Sequence, residues 1–114
     1  MQEVNALLEK YDNFKGAMMR SIEQREDGSK IITIVLQDDD GEDLNSVSLE
    51  FTNITSSKLV IDSVLAFMDM GLGITIIKEH DYYGFALGRG TSLLDINSSP
   101  VYIVAANLKI QDNK

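Results

Sequence analysis

Apolar residues recur along this chain with two different periods. In EVNALLEKY, Val4, Leu7, Leu8 and Tyr11 stand at i, i+3, i+4 and i+7, the spacing that lines one face of a helix, so a helix is expected over residues 2–10. Gly16 ends that pattern. In AMMRSIEQR, Met18 and Ile22 fall on one side and Met19 and Ser21 on the other, which fits a strand at a sheet edge. Asp27-Gly28 is a two-residue hairpin signal, and residues 30–37 supply the returning strand. There Ile32, Ile34 and Leu36 alternate with Ile31, Thr33 and Val35. Both faces are apolar, which places the strand in the middle of a sheet. SVSLEFTNI turns Val47, Leu49 and Phe51 inward and Ser46, Ser48, Glu50 and Thr52 outward, a half-buried strand of about eight residues.

The second half continues in short elements. SSKLVIDSVLAFMDMGLG fits one longer helix or a strand at Lys58 to Ile61 followed by a helix over 63–70, and the second is preferred because Asp62 or Ser63 can cap that helix and Gly71 suits the residue past its end. GITIIKE (73–79) and YYGFALG (82–88) flank His80-Asp81 as a second hairpin, RGTSLLDINSSP is a loop, and VYIVAANLKI (101–110) is a strand with Val101, Ile103 and Ala105 on one face. The tail from Gln111 is expected to be mobile. The predicted fold is α+β: a mainly antiparallel sheet of six to seven strands with one or two short helices, in a single domain over residues 1–114.

Composition narrows the function classes. The 114 residues include no cysteine, which removes disulfides, thiolate metal sites and thiol nucleophiles and fits the cytoplasm. The start of the chain lacks the basic and apolar blocks of a signal peptide, and no apolar run approaches the roughly 18 residues of a membrane span. A soluble cytoplasmic protein is expected. Net charge is −8, and residues 1–57 hold 12 acids against 5 bases while residues 58–114 hold 6 against 5. That field repels nucleic-acid phosphates and anionic lipid and speeds encounter with a basic protein. Direct nucleic-acid and membrane partners are therefore not expected.

The densest charge lies in LQDDDGEDLNS, with five carboxylates between Asp38 and Asp43. An EF-hand loop needs glycine at its sixth place and glutamate at its twelfth; counted from Asp38 the glycine is fourth and the twelfth residue is Leu49. Metal is not expected there. Asp40-Gly41 instead supplies the turn between strands 30–37 and 46–54, with the acids at a solvated tip. His80, the single histidine, stands beside Asp81, but neighbours on a strand point to opposite faces, and a turn residue is the expected role. Glu50, Asp62, Asp69 and Asp95 single out no catalytic pair. The glycines of GFALGRG have the wrong spacing for a dinucleotide fingerprint or a phosphate loop, so no cofactor is expected. Tyr82, Tyr83, Phe85 and Tyr102 are expected in core or interface packing.

The stretch YDNFKGAMMRSIEQREDGSKIITIVLQ followed by SVSLEFTNI resembles small bacterial proteins of the polymorphic-toxin immunity type. Tyr11-Asp12 and Phe51-Thr52-Asn53-Ile54 carry the likeness, which covers residues 11–54. The resemblance implies a small cytoplasmic protein that binds a cognate toxin domain and blocks it, and transfers no binding residues. On physical grounds Asp38, Asp39, Asp40, Glu42 and Asp43 are the candidate partner-binding residues, facing a basic, nuclease-like toxin domain. The alternative is a small housekeeping domain that binds a ligand or homodimerises, through the Tyr82-Tyr83-Gly84-Phe85 patch and an edge strand at 101–110.

Overall fold

The computed structural model describes residues 2–40, 42–60, 70–88, 90, 92–96 and 98–113. Helix α1 (Gln2–Lys10) leads through a tight turn at Asp12–Phe14 into β1 (Met18–Gln24), β2 (Lys30–Gln37) and β3 (Asp43–Lys58). Then come β4 (Ile74–Glu79), β5 (Tyr82–Leu87), a single helical turn α2 (Leu93–Ile96) and β6 (Tyr102–Asn113). The strands form one sheet in the order β1-β2-β3-β6-β5-β4, every pair antiparallel. This is the expected α+β architecture, with six strands.

The sheet consists of two three-stranded meanders joined along β3 and β6, from Ser46 opposite Asn113 to Lys58 opposite Tyr102. Directly opposed residues share a face. The row Ile22, Ile32, Leu49 and Ile110 and the row Ile34 and Val47 therefore point to one side, where Val4 and Leu7 of α1, Phe14 and Phe85 complete the main core. Ile32, Ile34, Val47, Leu49 and Phe51 are fully buried there, as their alternation predicts. On the opposite face α2 covers the second meander, setting Ile96 against Ala86 and Val104. The first meander's opposite face, with Thr33, Ser48 and Glu50, stays half-open.

Several boundaries differ from expectation. Met19 and Ile22 are both buried because a bulge between Met19 and Ser21 shifts the β1–β2 register. The extra residue returns Ile22 to the side Met19 already occupies. The Asp27-Gly28 hairpin closes as a three-residue loop: Arg25 N–H donates to Ser29 O at 2.9 Å, Gly28 N–H donates to Arg25 O at 3.0 Å, and Gly28 has φ +89°. The β3 strand runs to Lys58, so no separate strand begins there. The helix expected over 63–70 and its caps Asp62 and Ser63 fall on residues outside the described ones; Met70 is buried in the core. The loop RGTSLLDINSSP contains α2. Its start is capped by Ser92 Oγ, which accepts from Asp95 N–H at 3.1 Å, and by the Glu79 carboxylate, which accepts from Leu93 N–H.

Two corrections concern β6. Residues 102–105 are not an edge, since β3 lies on one side and β5 on the other. Gln111 and Asp112 are not a free tail, for they pair with Ser48 and Val47 of β3. The sheet's outer strands are β1 and β4.

The segments that precede these outer strands meet across the helix-bearing face. Gly16 N–H donates to Met70 O at 2.9 Å, and Asp12, Asn13 and Phe14 follow one another at φ +50°, +55° and +60°. Three left-handed residues in a row are costly for L-amino acids. They bring the Asn13 carbonyl against Gly73, where a Cβ would stand 2.0 Å from that oxygen and φ is +73°. Gly73→Ala should therefore cost more than about 2 kcal/mol. Gly28→Ala, also at positive φ but with nothing within 4 Å of its Cβ, should cost about 1 kcal/mol. Urea midpoints of the two variants measure the difference, and equal losses would show that the Asn13 contact contributes nothing.

Candidate functional site

The acidic stretch is the tip of the β2–β3 hairpin, and its five carboxylates are not equivalent. Asp38 N–H donates to Glu42 O at 2.9 Å, while Asp38 Oδ1 accepts the backbone N–H groups of Asp40 and Glu42, each at 2.9 Å. Asp38 thus closes the loop on itself, as aspartate does in turns. Asp43 opens β3 opposite Gln37, and its Oδ1 accepts from Gln37 Nε2 and Arg20 Nη2, both at 2.9 Å. The Gln37 bond first, and then Arg20, holds the Asp43 carboxyl below its usual 3.8. Asp39, Asp40 and Glu42 are exposed between these anchors. Gly41, assigned to the turn, lies outside the described residues.

Behind the same end of the sheet lies a second polar group. Lys10 Nζ donates to Asp112 Oδ2 at 2.8 Å, and Tyr11 OH lies 2.9 Å from both Asp112 oxygens. Asn45 Nδ2 donates to Tyr11 OH and, at 3.2 Å, to Asp112 Oδ1. The cluster pins the end of α1 to β3 and β6. Nothing local in the sequence marks it, because Asp112 reaches Lys10 and Tyr11 only through the pairing of β6 with Val47 of β3.

A third feature is the half-open face of the first meander. The β3–β6 register sets Glu50 opposite Lys109, and Glu23 lies in the same row across Ile31. With Arg25, Thr33, Ser48 and Gln111 they line a shallow polar concavity of about 280 Å³. Two acids, Glu23 and Glu50, are matched there by two bases, Arg25 and Lys109, so this surface carries little net charge.

The remaining candidates separate. His80 is exposed at the first central position of the β4–β5 turn with φ +56°, where it serves the backbone reversal from Glu79 to Tyr82. Phe85 is fully buried against Phe51, ring centroids 5.6 Å apart. Tyr83 lies under Lys78 Nζ at 5.2 Å and Tyr82 is exposed, so Tyr82–Phe85 is not one surface patch. Tyr102 packs against the Ile96 cluster. Glu50 and Asp95 stand on opposite meanders, and Asp62 and Asp69 are outside the described residues. Among the described residues no three His, Asp or Glu side chains are grouped to hold a metal ion, and no helix is long and apolar enough to cross a membrane. Comparison with known proteins returns no matching family model, no similar curated protein and no similar solved structure.

The polar cluster sets a pH response. Asp112 is held below 3.8 chiefly by the Lys10 hydrogen bond, with Tyr11 and Asn45 adding to it against desolvation, and Lys10 is raised above 10.5 chiefly by Asp112. A carboxyl lowered on folding contributes stability that is complete above 3.8 and is lost as pH falls through the folded value. A raised lysine contributes stability that is complete below 10.5 and is lost as pH climbs through its folded value. Asp27, lowered chiefly by the Ser29 hydroxyl, and Asp43 act in the same acid range. Denaturant midpoints should therefore be level from about pH 5 to 9 and fall below pH 4, and Asp112→Asn should lower the plateau and flatten the acid limb. An unchanged acid limb in Asp112→Asn would remove the cluster from the stability account.

Proposed function

We infer that this chain is a non-enzymatic protein-binding module, acting in the cytoplasm as an immunity protein that neutralises a basic, nuclease-like toxin domain. The observation that carries the reading is the hairpin tip, where Asp38 and Asp43 are engaged within the fold while Asp39, Asp40 and Glu42 are left exposed on a loop tied at both ends. Charges fixed in space before encounter lose little freedom on binding and favour one orientation of a cationic partner. The net charge of −8 acts in the same direction at longer range. The likeness of residues 11–54 to immunity proteins supplies the partner class.

Two measurements test it. Co-expression with the carboxyl-terminal domain of a protein encoded immediately upstream should restore growth to cells that this domain poisons and yield a complex on purification; toxicity that persists beside a folded, abundant chain would refute the reading. In the triple variant Asp39→Asn, Asp40→Asn, Glu42→Gln, which spares the two anchoring aspartates, the association rate should fall about tenfold at low salt. The difference should shrink as ionic strength approaches 1 M, where screening shortens to about 3 Å. An unchanged rate and salt slope would remove the tip from the interface.

A further inference from the structure

Among the described residues, two thirds of β6 has a neighbouring strand on one side only. Residues 102–105 lie between β3 and β5, whereas 106–113 pair with β3 alone among the described residues, because β5 begins at Tyr82 and its pairing stops at Tyr83 opposite Ala105. The second edge of an antiparallel strand presents alternate N–H and C=O groups. Where β5 would continue there is a groove. Tyr83, Leu108 and Ile110 border it beside Glu3 and Val4 of α1, leaving a space of about 470 Å³. It continues past Ala6 and Lys10 toward Asp112 as a further space of about 360 Å³. Leu108 and Ile110 are half-buried on the helix side, while Asn107, Lys109 and Gln111 are exposed on the other. Natural sheets blunt such edges with charge, bulges or cover; along the groove this one keeps two aliphatic side chains.

We propose that the free edge of β6 at residues 106–113 receives an extended strand from a basic partner protein, added to the sheet where β5 stops. The main-chain ladder supplies affinity, and alternate side chains of the incoming strand, apolar, enter the groove beside α1. The residues between them lie beside Asn107, Lys109 and Gln111 and are uncharged, and the partner's basic residues flank the strand. Glu3 borders the groove, and the acidic tip lies at the same end of the sheet, since Ser46 pairs with both Val35 and Asn113 and Asp43 opens the same strand. A second copy of this chain fits less well. The two-fold register that sets Leu108 against Ile110 also sets Lys109 against its own counterpart, and it joins two chains of net charge −8. The basic character of the partner rests on the function proposed above; the strand addition rests on the open edge and the groove.

The experiment adds synthetic ten-residue peptides to the full chain and follows backbone amide exchange by NMR. One peptide alternates valine with threonine and carries lysine at both ends, one alternates valine with threonine throughout, and a control carries proline at every second position. At a concentration about ten times its measured dissociation constant, either alternating peptide should slow exchange at amides within 106–113 about tenfold, and the proline control should not. Absence of protection by both alternating peptides overturns the strand addition, as does protection of 106–113 in the free chain together with a dimeric mass by light scattering. Tighter binding of the lysine peptide, weakened by Asp39→Asn, Asp40→Asn, Glu42→Gln, supports a basic partner. Equal binding of the lysine and threonine peptides overturns the basic partner and leaves the strand addition standing.

Discussion

The antiparallel pairing of β3 with β6 holds the two halves of this protein together. It joins residues 46–58 to residues 102–113, and without it each half would be a three-stranded meander with its apolar face in water. Val47, Leu49 and Phe51 from β3 and Ile103 and Ala105 from β6 are fully buried as a consequence. The Phe51–Phe85 ring contact ties the first meander to the second across that seam. Such distant partners must close a long loop before any contact rewards it, so the seam is also the entropically expensive step of folding.

Unequal strand lengths on either side of the seam create the surfaces available for recognition. β3 spans sixteen residues and β6 twelve, but β5 only six. The second meander therefore runs out before β6 does, leaving an edge beside α1 that no other described strand pairs with. The hairpin tip, the Lys10–Tyr11–Asn45–Asp112 cluster and that edge all collect at one end of the sheet. The cluster holds the end of α1 there through charge-assisted bonds.

The periodic elements were legible in the chain. The helix over 2–10 and the strand over 30–37 have the predicted bounds, because an unbroken period of 3.6 or 2 says which side faces the core. The misplaced positions are those where one residue breaks the period. The extra residue at the β1 bulge moves Ile22 to the side opposite the one predicted for it. Ser92 and Asp95 are the visible signal for the capped turn that became α2, but a cap stabilises a helix only where something packs on it. Here the bare Cα of Gly84 admits Leu93 and Ile96, whose side chains would come within 2.6 and 2.7 Å of a Cβ at that position.

Of the candidate site, composition and spacing determined that five carboxylates share one hairpin tip, because turn chemistry and charge are local properties. Which of them is tied to a neighbouring strand was decided by tertiary structure. Arg20 reaches Asp43 from a different strand, and only the bulge and register of β1 bring it there. The same holds for β6: its alternation marked a strand, whereas its interior third, its outer two thirds and the ordered Gln111–Asp112 segment follow from where β3 and β5 end. The cause is that strand pairing is a contact between segments remote in the chain, and the length of a partner strand is not written in the residues it pairs with.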